Sequence, residues 1–263
     1  MDAFSPDPWV QSQSSFVDLY DLAFGYRDFA AEASFLAKAA QLWGDHAPRR
    51  VIEWAAGPGR HLAAFAARGA EVVAVDLSSE MLSLAARTIH GDGRATLLLG
   101  DMCEVTVTPP ADLGFTMLSS IHGLASEADL LAHLAAAARS LKEGAIYVIE
   151  ATHPRDLEPD GGWATAWHIR AGEDEVYARF TLDLARRDGP HVPAAVELRG
   201  RLAGVVTDHS IEMAWLVPDL DGWRSLVEAT PGLTLVAALG GLDVTLAHTA
   251  TNAWRLVLVL RRD

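Results

Sequence analysis

Apolar residues recur at three- and four-residue spacing between Phe16 and Trp43, with Phe29, Ala33, Leu36, Ala37 and Ala40 on one stripe. That period predicts helix, and Gly25 is expected to divide it into two pieces. Residues 1–15 are rich in Ser, Pro, Asp and Gln and read as a mobile lead-in. A different rhythm begins at residue 50. Short, almost wholly apolar runs at 50–54, 71–75, 96–99, 112–118 and 145–149 predict strands. Helical stretches fall among them. One covers 58–67, with Leu62, Phe65 and Ala66 inward, Pro58 in its first turn and Gly69 as its stop. Another follows a Ser78 or Ser79 cap and carries Met81, Leu82, Ala85, Ala86 and Ile89. A third opens on the Ser126/Asp129 capping box, carries Leu130, Leu131, Leu134, Ala138 and Leu141, and closes at 142–144. Strands buried on both faces and separated by helices imply a parallel sheet covered on two sides.

The texture changes after Glu150. Val176, Ala178, Phe180, Leu182 and Leu184 alternate with other residues, as do Val196, Leu198 and Leu202, and again Ile211, Met213 and Trp215. Period two predicts half-exposed antiparallel strands, and Asp188-Gly189-Pro190 marks a turn between the first two. Residues 163–217 therefore read as an antiparallel insertion. A helix at 219–230 and two last strands at 233–237 and 254–260 complete the chain.

Composition narrows the field of partners. The 263 residues are half apolar, enough for one domain with an insertion, and the formal net charge of −14 argues against nucleic acid. A single cysteine, Cys103, allows no intrachain disulfide and suits a reducing, cytoplasmic setting. No basic segment followed by an apolar stretch opens the chain, so no signal peptide is expected. No apolar run reaches the roughly 18 residues of a membrane-spanning helix, so no membrane association is expected either.

The chemistry concentrates where the first strand ends. Val51-Ile52-Glu53-Trp54-Ala55-Ala56-Gly57-Pro58-Gly59-Arg60-His61-Leu62 runs from an apolar strand through a small-residue loop into a helix. Such a loop lets backbone approach a nucleotide closely, and Gly57 and Gly59 supply the conformations it needs. Three acids, Glu53, Asp76 and Asp101, end successive strands. Ligands of open α/β sheets bind at that edge, and an acid about twenty residues past the loop is placed for ribose hydroxyls. Asp101 stands one strand further out, towards an adenine amino group.

The series VIEWAAGPGRHL, VVAVDLSSEML, LLLGDM, GFTMLSSIHGL and LKEGAIYVIE resembles the class I S-adenosylmethionine-dependent methyltransferases. Tyr20-Asp21, the Gly57–Leu62 loop and Ser119-Ser120-Ile121 are similar to the branch of small-molecule, amino-sugar N-methyltransferases of antibiotic pathways. The resemblance implies a Rossmann-like α/β fold: a seven-stranded, mostly parallel sheet with helices on both faces and an antiparallel β insertion after strand 5. It implies one domain, with a helical lid at 1–48, a cofactor-binding core at 49–150, an acceptor cap at 151–218 and a closing helix and strands at 219–263. S-adenosylmethionine would be the donor and S-adenosylhomocysteine the product, with no metal. Glu53 would orient the loop and the methionyl amine. Ala55, Gly57 and Gly59, with His61 in the same loop, would hold the methionine moiety. Asp76 would hold the ribose, with Leu77 and Met81 lining the pocket, and Asp101 and Met102 the adenine. Leu118 and Ser119 would close the site beneath the sulfonium, and Tyr20 and Arg60 would reach the cofactor carboxylate. Ala55 stands where the family usually has its first glycine, which is tolerated if its φ stays negative.

N-methylation of a small-molecule amine is the favoured reaction, with C- or O-methylation of an aromatic acceptor as the alternative. A nicotinamide oxidoreductase or a non-catalytic nucleotide-binding protein would share the loop; the former would more typically carry a third glycine where Leu62 stands. His122, after the fourth strand, is the leading candidate for a general base by titration range, with Tyr20, Tyr26, Glu150 and His153 behind it. None of the ten histidines has metal-ligand spacing, so no metal is expected. Trp163, Trp167 and Trp215 are candidates to roof an apolar acceptor. The strand edges of the insertion leave room for a homodimer.

Overall fold

The computed structural model describes residues 14–90, 94–158 and 163–263. The expected lead-in lies outside these up to residue 13. The chain divides into two compact units: Asp28–Leu157 with Leu216–Asp263, and Met1–Arg27 with Glu158–Trp215. The two predicted N-terminal helices are present but belong to different units. α1 (Ser14–Phe24) groups with the insertion, and α2 (Phe29–Trp43) with the parallel sheet. The boundary of the lid expected at 1–48 therefore falls instead at Asp28, whose carboxylate accepts the Ala31 N–H at 2.9 Å and caps α2.

In the larger unit the strands are β1 (Arg50–Trp54), β2 (Glu71–Asp76), β3 (Ala95–Leu99), β4 (Ala111–Thr116), β5 (Leu141–Ala151), β10 (Leu233–Leu239) and β11 (Leu256–Arg262). They lie in the order β10-β11-β5-β4-β1-β2-β3. β1 to β5 pair in parallel, and β11 runs antiparallel to both its neighbours. α2 and α3 (Arg60–Ala66) and α4 (Ser79–Thr88) pack on one face through Leu36, Phe65 and Leu82. α5 (Glu127–Ser140) and α6 (Leu220–Glu228) pack on the other through Leu134 and Trp223.

Strand alternation decides which side of β1 meets which helices. Val51 belongs to the α2–α4 side, while Ile52 and Trp54 belong to the α5–α6 side. The Trp54 ring lies over β4, where a Cβ on Gly114 would come within 2.7 Å of it, so that strand position admits only glycine. Gly59, expected inside a helix begun at Pro58, instead precedes α3 with φ +71°. The strand predicted at 254–260 starts two residues later than expected, at Leu256. Among the described residues no helix is long and apolar enough to cross a membrane.

The smaller unit is a four-stranded sheet in the order β6 (Trp163–Ala171), β7 (Asp174–Leu182), β8 (His191–Leu202) and β9 (Val205–Leu216). β6 went unread in the sequence because alanines at 164 and 166 fill alternate positions and blur the polar half of the pattern. α1 packs on this sheet through aromatic pairs: Phe24 with Trp167 at 5.3 Å and Phe16 with His209 at 5.7 Å. Charged side chains occupy the solvent-exposed positions, with Glu175 between Arg170 and Arg201.

Candidate functional site

Backbone constraint is concentrated at the carboxyl rim of the larger unit's sheet. Between β1 and α3, Ala55, Gly57 and Gly59 all have left-handed backbone, with φ of +54°, +51° and +71°. The negative φ expected at Ala55 is thus not observed, and a non-glycine residue held there costs roughly 1–2 kcal/mol. The loop is held by the Ala56 N–H to Val75 O at 3.1 Å and the Gly57 N–H to Asp76 Oδ2 at 2.7 Å. A Cβ at Gly59 would strike Ile89 Cδ1 at 2.9 Å, so glycine is required there by both space and φ. A Cβ at Gly57 would meet nothing nearer than Met81 Sδ at 4.0 Å, which leaves the loop backbone approachable on that side.

The three acids sit at the ends of three adjacent strands. Asp76 accepts from Gly57 and, through Oδ1, from the Ser78 N–H at 2.9 Å. Asp101 accepts the Cys103 N–H at 2.9 Å or less, measured at 2.8 Å. Glu53 is only 3% exposed. Its Oε1 takes a hydrogen bond from His61 Nδ1 at 2.9 Å, while its Oε2 is buried without a hydrogen-bond partner. A buried carboxylate oxygen left in that state costs free energy until something donates to it. The methionyl amine of S-adenosylmethionine has the chemistry to do so, and the open backbone at Gly57 has room for the rest of that moiety. By these two observations the residues present fit the donor.

His61 does not present itself to the loop. It is buried between β1, α2 and α3, with Nδ1 donating to Glu53 and Nε2 donating to Glu32 Oε2 at 2.7 Å. Two ionised carboxylates only accept, so the ring carries both protons. Burial alone would lower its pKa, but the Glu53 charge and the two hydrogen bonds hold it up at about 9. Burial pushes the Glu53 pKa upward, opposed by His61.

Around the site, Met81 is buried and Leu77 is exposed. Arg60 lies over the Phe29 ring, 5.8 Å from its centroid. The Met102 carbonyl accepts from His133 Nδ1 at 3.0 Å. His133 Nε2 in turn accepts from the Tyr147 hydroxyl at 2.5 Å, which lies 2.7 Å from Thr116 Oγ1. Leu118 and Ser119 are consecutive left-handed residues, each with φ +58°. The Leu118 N–H donates to Glu150 Oε2 at 2.8 Å, and Arg255 lies 3.2 Å from Glu150 Oε1.

The base candidates fare differently. His122 is fully buried; its Nε2 accepts the Thr152 N–H at 2.9 Å, so Nδ1 carries the proton and donates to Leu216 O at 2.7 Å. Burial lowers its pKa to about 4. Both nitrogens are committed to backbone, so the expected role as base is replaced by a structural one. His153 is likewise engaged, by His248 O at 2.9 Å and the Arg155 N–H at 3.2 Å. Glu150 is buried on Leu118 and Arg255 as described. Tyr20 and Tyr26 belong to the smaller unit, Tyr20 beside Phe16 and Phe24 and Tyr26 beside Trp167. Trp167 donates its indole N–H to Ala23 O at 2.7 Å and is a core residue there. Trp163 and Trp215 instead flank Phe180, at 5.5 and 4.8 Å.

Glu32, His133 and Arg255 were not singled out from sequence. Glu32 alone left a signal: it lies in register with the buried Phe35, Leu36 and Ala39 on the inward stripe of α2. A charge on an apolar stripe demands a buried partner.

A family model described as a methyltransferase domain matches residues 51–144. The dTDP-3-amino-3,4,6-trideoxy-alpha-D-glucopyranose N,N-dimethyltransferase of Streptomyces venezuelae is 30% identical over 155 residues, 58% of this chain and 63% of that protein. The chain thus spans less than two thirds of that relative's length. The cypemycin N-terminal methyltransferase of a Streptomyces species is 27% identical over 246 residues, 91% of this chain and 89% of that one. Among solved structures, Streptomyces venezuelae DesVI superposes with a TM-score of 0.77 at 23% identity, covering 96% of this chain and 100% of its own. The fold is shared across nearly the whole length.

Proposed function

We propose, for a chain whose residues 51–144 are a methyltransferase domain, that it transfers a methyl group from S-adenosylmethionine to an amine nitrogen of a small molecule. The observation that carries this reading is the row of Glu53, Asp76 and Asp101 beside a left-handed glycine loop, with one Glu53 oxygen awaiting a donor. Both curated relatives named above are N-methyltransferases by name, one of an amino sugar and one of a peptide N-terminus. An amine is what these acceptors have in common, and an amino sugar of a natural-product pathway is the favoured case.

The bound donor supplies an electrophilic methyl on a sulfonium; the N–C bond forms as the S–C bond breaks, and the amine gives up its proton. The chain's own contribution is placement. Glu53 takes the amine end of the donor, Asp76 the ribose hydroxyls, and Asp101 with Met102 the adenine edge. Leu77 and Met81 line the pocket, and Leu118 and Ser119 form the floor. Tyr20 and Arg60 remain the proposed contacts to the donor carboxylate. Holding two reactants in line supplies several kcal/mol of rate enhancement without a further catalytic group. With His122, His153 and Glu150 all engaged, the acceptor enters as its neutral amine, and its proton passes to solvent.

Calorimetry with S-adenosylmethionine and S-adenosylhomocysteine tests the first half of this reading. Mass spectrometry of a panel of dTDP-amino sugars and peptide N-termini, read for one or two added methyl groups, tests the second. Heat with neither ligand would overturn the function; methylation of a phenol or carbon in preference to every amine would overturn the acceptor class.

A further inference from the structure

The proposed donor grip on Glu53 leaves one neighbour unexplained. Glu32 is 8% exposed, on the inward stripe of a helix otherwise built from Ala, Phe and Leu. It touches no part of the glycine loop in any hydrogen bond described above; its recorded partner is His61, at 2.7 Å. His61 in turn is closed in by the edges of Phe29 and Phe115, with ring centroids at 4.9 and 5.9 Å. The imidazole is therefore fixed in plane and in tilt, with one carboxylate at each nitrogen.

We propose that Glu32 is a positioning residue for the methyl donor, acting through His61 to hold Glu53 in the charge state and orientation that binds the donor's ammonium group. The inference rests on the donor reading above. Glu53 and His61 by themselves would form a neutral pair, with the ammonium facing little net charge. The second carboxylate changes that sum: two carboxylates and one imidazolium leave one net negative charge to meet a cation. Glu32 also supplies the acceptor that keeps Nε2–H in place, so the ring turns Nδ1–H towards Glu53 Oε1 and leaves Oε2 as the oxygen without a partner. In a site withdrawn from water such a charge is felt far more strongly than at the surface.

The test compares two ligands that differ in the amino-acid end. S-adenosylhomocysteine carries the ammonium; 5′-methylthioadenosine has the same nucleoside and sulfur but lacks it. Binding of both to the full chain is measured by calorimetry for wild type, Glu32→Gln and Glu32→Asp. Glu32→Gln is isosteric and removes only the charge. It should weaken S-adenosylhomocysteine about tenfold and leave 5′-methylthioadenosine within about twofold, the size expected from losing one nearby charge. Glu32→Asp keeps the charge and should stay within about threefold of wild type for both. A merely structural role would move both ligands together, so equal losses in Glu32→Gln would overturn the proposal. So would no loss for either ligand, or a Glu32→Asp variant as impaired as Glu32→Gln. Undiminished 5′-methylthioadenosine binding also certifies that each variant is folded. If wild type bound neither ligand, the donor reading itself would fall and this inference with it.

Discussion

Two buried histidines mark two regions of the larger unit, and they are in opposite states. At the β1 rim, His61 lies between two carboxylates and stays protonated up to about pH 9. At the end of β4, His122 lies between two backbone groups and stays neutral down to about pH 4. Both are desolvated; the partners decide the charge. The regions differ in a second respect. Around His122 each ring nitrogen is satisfied, whereas beside His61 an oxygen of Glu53 is left without a hydrogen bond. Saturation marks scaffold, and unspent polar capacity marks the side built for a ligand.

The contrast is open to attack at both ends. The largest effect is expected for His122→Ala, which strands the Thr152 N–H and the Leu216 carbonyl and leaves a cavity. Loss of about 3–5 kcal/mol is expected, read by denaturant unfolding, with donor affinity of the remaining folded protein near wild type. Unchanged stability with abolished turnover would restore His122 as a base. Next comes Asp76→Ala, which removes both the anchor of Gly57 N–H and the proposed ribose contact. Calorimetry should show donor affinity lowered about a hundredfold, with a smaller loss of stability than in His122→Ala.

Stability against pH separates the two histidines directly. His61 has a folded pKa raised from 6.5 to about 9, so its contribution is complete below pH 6.5 and is lost as pH rises towards 9. His122 and His133, both lowered to about 4, act in the other direction. The unfolded chain takes up their protons first, so stability falls as pH drops from 6.5 towards 4. Each proton accounts for about 1.4 kcal/mol per pH unit within its window. Chemical denaturation across pH should show both limbs, with His61→Asn flattening only the alkaline one. The smallest effect is expected for Ala55→Gly. Relief of left-handed strain is offset by the greater freedom of glycine in the unfolded chain, leaving a net change within about 1 kcal/mol.

The parallel sheet, the loop and its three acids were legible because each is local: a strand, its terminal residue and the turn after it lie within a dozen positions. The charge states of the histidines were not. His61 acquires its state from Glu32, 29 residues away, and His122 from a carbonyl 94 residues away. Sequence shows that a histidine follows the fourth strand; it does not show that Leu216 returns to accept its proton. The strained φ at Ala55 was hidden for a similar reason. It is imposed by the Ala56 N–H reaching Val75 and the Gly57 N–H reaching Asp76, both on the neighbouring strand. The insertion's alternation announced a sheet, but where alanine stood in for a polar residue, as in β6, even that was lost.

Arg255 stands immediately before the last strand, yet its ion pair with Glu150 reaches the left-handed turn at Leu118. The extreme C-terminal hairpin is thereby wired to the floor of the pocket. Tags, fusions or loop grafts that shift this arginine by a fraction of an ångström should first be felt as altered ligand handling, while the rest of the molecule still melts as before.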